Sequence, residues 1–166
     1  MNRRGFTLIE IAVVLAIIGM VVMIVLPRLP STEGENLKIS ARTLASTLRY
    51  LQNRAATSGT TYYLSIEPGT DNVKVLEDAA DGSKKEPGDP LLQKRPVKEG
   101  IQVADVVIPR LGKVTDRQII LKVEKRGLRD FITIHLRASD GSFWTVMAFP
   151  SSGKVKVYEG YQEDPL

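Results

Sequence analysis

Three patterns of apolar and polar positions follow one another along the chain. From Phe6 to Leu26 the residues are almost all apolar, with Ile, Val and Leu dominating and one charge, Glu10, inside the run. From Leu37 to Ala55 apolar residues recur at Leu37, Ala41, Leu44, Leu48, Leu51 and Ala55, in alternating steps of four and three. That spacing predicts one narrow apolar seam on an amphipathic helix. Thr32-Glu33-Gly34-Glu35 fits a T-x-x-E capping box, so the pattern predicts a helix restart there after Pro27 and Pro30, with Gly59 as its stop. A bend or unwound stretch is expected within 27–31.

Beyond Gly59 the period changes to two. Strands are predicted at Tyr62–Glu67, Val73–Glu77, Ile101–Ile108, Gln118–Glu124, Phe131–Arg137, Phe143–Phe149 and Lys154–Tyr158. Pro68-Gly69-Thr70-Asp71-Asn72 links the first two as a hairpin. Ser139-Asp140-Gly141-Ser142 and Ser151-Ser152-Gly153 join the last three, and such short connections predict an antiparallel meander. The residues 81–100 hold Gly82, Pro87, Gly88, Pro90 and Pro96 among several Lys and Arg, with no apolar period except Leu91-Leu92. They read as an exposed loop or excursion between strands. The fold class is α+β: a long N-terminal helix, with a membrane half and an amphipathic half, packed on antiparallel sheet. The strand count allows a two-sheet sandwich.

The first apolar run is long enough to span a membrane once, about 31 Å as a helix against a hydrocarbon core of about 30 Å. Arg3 and Arg4 precede it and only Arg28 closely follows it, which directs the N-terminus to the cytoplasm and the rest outward. A cleaved secretory signal fits poorly, because its apolar region is about 7–15 residues and ends at an A-x-A-like site; here Leu26-Pro27-Arg28-Leu29-Pro30 follows. A plain signal anchor explains the length and orientation but not Glu10. A carboxylate at the centre of a membrane helix costs about 2.5–3.5 kcal/mol on insertion scales, so Glu10 is a functional candidate that calls for a partner.

The junction Arg3-Arg4-Gly5-Phe6-Thr7-Leu8-Ile9-Glu10 resembles the processing site of type IV pilins and type II secretion pseudopilins. The resemblance implies a leader over residues 1–5 and cleavage between Gly5 and Phe6 by a membrane prepilin peptidase. It further implies N-methylation of Phe6, a transmembrane helix over 6–26, and packing of that helix with other subunits in a filament. Glu10 is then the fifth residue of the mature chain, and Pro27 stands where many members carry a helix-bending proline. The run Ala41–Tyr50, the stretch Ala55–Thr60, the strand that follows and the late Phe149-Pro150-Ser151-Ser152-Gly153 turn are similar to the H-type minor pseudopilins of type II secretion. The related FimT-like minor pilins share that pattern. The implied organisation is a bend and amphipathic continuation over 27–59 and a periplasmic β-rich domain over 60–166, with a variable loop at 81–100. The implied function is that of a structural subunit of the pseudopilus. The alternative is a minor pilin of a type IV pilus, a group in which some members bind DNA for uptake.

Composition narrows the chemistry. The chain has 166 residues, no Cys and one His. An exported domain without Cys has no disulfide and depends on its core. Removing Met1–Gly5 takes two of the 23 Lys and Arg, leaving 21 against 19 Asp and Glu. No phosphate-binding glycine loop or nucleophile elbow occurs. Alternation assigns His135 to the polar face of its strand, which reads as a solvated histidine with no catalytic role. Asp71, Glu77, Asp78 and Asp81 read as solvated turn acids, and no metal or cofactor is expected. Two basic groups, Lys84-Lys85 with Lys94-Arg95 and Lys98, and Lys122 with Lys125, Arg126 and Arg129, are diluted by acids. A nucleic-acid partner is therefore disfavoured.

Overall fold

The computed structural model describes residues 8–25, 32–79, 81–150 and 152–163. It divides into two compact units, Met1–Ser31 and Thr32–Leu166. In the first, α1 spans Leu8–Val25. Its side chains from Leu8 to Ile24 are exposed, and apart from Glu10 and Gly19 nearly all are large and apolar on every side of the helix. Among the described residues no helix is long and apolar enough to cross a membrane. As described, α1 measures about 27 Å at 1.5 Å per residue, against a hydrocarbon core of about 30 Å. The expected cleavage junction at Gly5 and Phe6 and the expected bend at Pro27 lie outside the described residues.

The second unit begins with α2, Thr32–Ser58. Leu37, Ala41, Leu44, Leu48, Leu51 and Ala55 are all fully buried, as the seam predicts, and Ala45 joins them. Gly59 ends the helix with a positive φ of 72°, and its N–H donates to the Ala55 carbonyl at 3.0 Å. A residue with a Cβ is strained in that conformation, so glycine suits the stop.

Two five-stranded antiparallel sheets follow. The strands are β1 Tyr62–Ile66, β2 Val73–Asp78, β3 Lys84–Lys85, β4 Gln102–Ile108, β5 Gly112–Val114, β6 Ile119–Glu124, β7 Gly127–Leu128, β8 Ile132–Arg137, β9 Phe143–Ala148 and β10 Val155–Glu159. The first sheet runs β3-β2-β1-β6-β7 and the second β10-β9-β8-β4-β5. The predicted hairpin is β1–β2, and the predicted meander is β8–β9–β10. The short strands β3, β5 and β7 carry too few residues to show a period. The seam of α2 and the inward positions of both sheets form one apolar core. Helix α2 touches β9 and β10 of the second sheet and β6 and β7 of the first. The Arg49 guanidinium also donates to the Val155 carbonyl.

The stretch 81–100 is an excursion between β2 and β4, and most of its residues are exposed. It contributes β3, paired with β2 at Glu77 and Asp78, and a short helix, α3, over Pro90–Gln93. The Asp89 side chain caps α3 by accepting the Leu91 N–H at 3.0 Å. Leu92 and Val97 are 2% and 1% exposed. Three polar bonds tie the stretch to α2: Tyr50 Oη donates to Asp89 at 2.5 Å, the Lys98 N–H to Ser40 Oγ at 3.0 Å, and Lys98 Nζ to Asn36 Oδ1 at 2.9 Å. It is an excursion strapped to the body, and its isolated apolar residues fill the core without any sequence period.

Candidate functional site

The candidate assembly site is the start of α1. Glu10 is exposed in its first turn, where a carboxylate interacts favourably with the positive end of the helix dipole. Around it Leu8, Ile9, Ile11, Val13 and Val14 are exposed. A helix that is apolar all round is stable when lipid or other helices cover it. What the described part of the site offers is thus one carboxylate on an apolar rod. Gly5, Phe6 and Pro27, the other residues expected to act there, lie outside the described residues.

The second unit holds a polar cluster that the sequence reading misses. His135 is fully buried, contrary to the expected solvated histidine. Its Nδ1 lies 2.5 Å from Asp105 Oδ1 and its Nε2 lies 2.8 Å from the Gln162 carbonyl oxygen. Each ring nitrogen thus faces an oxygen atom. The Tyr161 ring stacks on the imidazole, with centroids 3.8 Å apart and planes at 13°. Tyr161 Oη donates to Asp105 Oδ2 at 3.1 Å and accepts from Lys113 Nζ at 2.8 Å.

Two local features build this cluster. The first is a bulge in β4. Val103 pairs with Leu136, but the next registered pair is Asp105 with His135, so Ala104 is the extra residue. The insertion switches the phase of the strand: Val103, Val106 and Ile108 face the core while Asp105 turns outward beside His135. The second is the segment after β10, which folds over the outer face of β8 and β9. The Gly160 N–H donates to the Phe143 carbonyl at 2.8 Å, Thr145 Oγ1 donates to the Gly160 carbonyl at 2.7 Å, and the Gln162 N–H donates to Thr145 Oγ1 at 3.0 Å. Histidine on the polar side of a strand is therefore roofed by the chain's own late residues.

Burial pushes the Asp105 carboxyl up, but the hydrogen bond and charge of His135, the charge of Lys113 and the Tyr161 hydroxyl outweigh it and hold the group below its ordinary range. The hydrogen bond to Tyr161, then the charge of Asp105, outweigh desolvation and hold the Lys113 ammonium above its ordinary range. A His–Asp pair suggests a general base, yet here Nε2 is occupied by a backbone carbonyl, and the hydroxyl of the cross-strand neighbour Thr145 donates to the Gly160 carbonyl. The arrangement can clamp the C-terminal segment onto the sheet.

The other sequence candidates are dispersed. The first basic group is spread out: Lys85 pairs with Glu77 at 3.5 Å, Lys84 Nζ sits over the Tyr63 ring, and Lys98 is bound to α2. In the second group Lys122 pairs with Glu124 at 2.5 Å, while Arg126 and Arg129 line an open groove. Asp81 folds back on Ser83, and Asp78 accepts from Tyr63 Oη at 3.3 Å, so these acids serve local turns and pairs. Among the described residues no group of three His, Cys, Asp or Glu could hold a metal ion.

Residues 1–26 match the family model described as the prokaryotic N-terminal methylation motif. Type II secretion system protein H of Vibrio cholerae serotype O1 is 32% identical over 101 residues, covering 60% of this chain and 52% of that protein. The Klebsiella pneumoniae protein of the same name is 34% identical over 92 residues, covering 54% and 52%. The chain thus spans about half the length of the curated relatives it matches. Two solved structures of the minor pseudopilin EpsH from the Vibrio cholerae type 2 secretion system are similar in fold. One superposes with a TM-score of 0.57 at 23% identity, covering 75% of this chain and 97% of that one. The other gives 0.62 at 20% identity, covering 78% and 98%. The α+β arrangement, a helix packed on two antiparallel sheets, is the fold of those pseudopilins.

Proposed function

We propose that this chain is a minor pseudopilin of the H type, a structural subunit of the type II secretion pseudopilus that helps export folded proteins across the outer membrane. The observation that carries the reading is the coincidence of two independent features. A methylation motif with Glu10 opens an all-apolar helix, and the unit that follows has the fold of a minor pseudopilin. The names of both curated relatives support a secretion machine over a type IV pilus, which would use the same anchor.

In this reading the precursor crosses the inner membrane once, with its N-terminus in the cytoplasm and the unit from Thr32 onward in the periplasm. Prepilin peptidase cuts between Gly5 and Phe6 and the new amine is methylated. A free α-amino group has a pKa of about 7.7–8.0, so near neutral pH it is mostly cationic. It becomes the partner of a neighbouring subunit's Glu10. The two positions are four residues apart, about 6 Å along a helix, so a neighbour displaced by that rise brings carboxylate and amine together. Such a buried pair adds little net stability but penalises every other register. The subunit performs no chemistry of its own and needs no cofactor. Its partners are the peptidase, the inner membrane and the N-terminal helices of other pseudopilins.

The test is Glu10→Ala in cells carrying the secretion system. Membrane insertion and cleavage should be retained, while co-purification with sibling pseudopilins and release of exported proteins should fall. Normal co-purification and normal secretion would remove the role assigned to Glu10.

A further inference from the structure

Strand β6 is paired along only part of one side. β1 accompanies it from Ile119 to Val123. On the opposite side β7 pairs only with Val123 and Glu124. After Leu128 the chain leaves the first sheet to begin β8 in the second. Ile119–Lys122 therefore present an edge with no strand partner among the described residues. Such an edge offers a row of backbone donors and acceptors to any extended chain that fits it.

An open groove of about 820 Å³ lies between this edge and the β4–β5 turn of the second sheet. Ile108, Leu121, Leu128 and Ile132 contribute to its apolar floor. Leu111 and Ile120, 51% and 47% exposed, also line it. Arg110 and Lys122 also line it, but their charges are answered by Asp130 and Glu124. Arg117, Arg126 and Arg129 are exposed at the groove and form no salt bridge among the described residues.

We propose that this groove is a docking site for an extended acidic segment of a partner protein, which adds to β6 as a further strand. The unpaired edge supplies main-chain hydrogen bonds, the mode by which peptides extend sheets. Successive side chains of a strand point to opposite faces. A segment that alternates apolar and acidic residues can therefore cover the apolar floor and present carboxylates to the three arginines. Nucleic acid fits less well: it cannot use the strand edge and gains nothing from Leu111 and Ile120. The site stands apart from the filament reading, because neither Glu10 nor α1 takes part.

The probe is a short labelled peptide of alternating Glu and Val, titrated with the full chain in neutral detergent at low salt and followed by fluorescence anisotropy. Saturable binding is expected, weakened about tenfold by the triple variant Arg117→Glu, Arg126→Glu, Arg129→Glu, since charge complementarity sets affinity and partner choice at such a rim. A peptide of the same charge with interspersed Pro should fail to bind, because Pro removes ladder hydrogen bonds. Should the triple variant not fold, Arg126→Glu alone, with the Pro peptide, decides the same question. Equal binding of the Val and Pro peptides, or binding unchanged by charge reversal, overturns the proposal. Tighter binding of a DNA duplex at the same arginines would assign the groove to nucleic acid instead. Failure of the probe with concentration-dependent self-association would assign it to a second copy of this chain.

Discussion

Replacing His135 with Phe keeps a flat ring beneath Tyr161 and deletes both ring nitrogens. Asp105, 3% exposed, then loses its partner at 2.5 Å and keeps Tyr161 Oη at 3.1 Å and Lys113 Nζ at 3.4 Å. The Gln162 carbonyl loses its partner too, but its residue is partly exposed and water can reach it. Leaving a buried polar group without its partner typically costs about 1–3 kcal/mol, and more when that group is charged, as a carboxylate is. With two donors remaining on Asp105, the expected loss is about 2–4 kcal/mol, a large share of the roughly 5–15 kcal/mol that holds a domain folded. The assay is equilibrium urea unfolding followed by Trp144 fluorescence, with the double variant His135→Phe, Asp105→Val completing a cycle. The double variant should recover part of the loss, because it leaves no carboxylate buried without its partner. A loss under about 0.5 kcal/mol, the range of ordinary surface substitutions, would refute the clamp. So would strictly additive single losses. The acid limb follows from the depressed Asp105 carboxyl. A carboxyl with a lowered folded-state pKa adds stability above its unfolded value of about 3.9 and loses it as pH falls through the folded one. The stability gap between the natural chain and Asp105→Asn should therefore close below about pH 4.

Three further outcomes probe the second unit. Leu48→Ala, at a fully buried seam position, should lower unfolding free energy by about 2–5 kcal/mol in the same titration, whereas a merely surface-lying seam would lose almost nothing. Among the described residues both polar atoms of the buried Gln52 side chain lack a hydrogen-bond partner, so Gln52→Leu should raise stability by about 1–3 kcal/mol, read as an increase in thermal midpoint; a decrease would mean that the amide is satisfied. Tyr50→Phe removes the donor that holds the Asp89 carboxyl low and ties 81–100 to α2. Amide exchange around Leu91 and Leu92 should quicken while that of β8 stays unchanged, and uniform exchange throughout would show that the strap does not depend on this bond.

The parts of the fold that were legible in the sequence are those set by neighbours in the chain. The α2 seam, the Gly59 stop, the β1–β2 hairpin and the closing meander all follow from periodicity and turn residues. What escaped depends on contacts between distant segments. Alternation assigns His135 to a face but says nothing of what covers that face, and here the cover is Tyr161 and Gln162. The bulge at Ala104 left a trace, a break of phase in Val103-Ala104-Asp105-Val106-Val107-Ile108, which is visible only once Asp105 has a partner. Leu92 and Val97 are single apolar residues in a Pro- and Gly-rich stretch, so no local pattern marks their burial. At the N-terminus the legible signal is chemical: one carboxylate in an apolar run, placed five residues after Gly5.

In the proposed filament this carboxylate needs an amine freed at Phe6. That requirement is tested most directly by the intact mass of the protein extracted from membranes that contain prepilin peptidase. The expected chain begins at Phe6 and carries one added methyl group, and a Gly5→Ala precursor is processed poorly or not at all. A mass with Met1–Gly5 still attached in the natural chain would contradict the pairing.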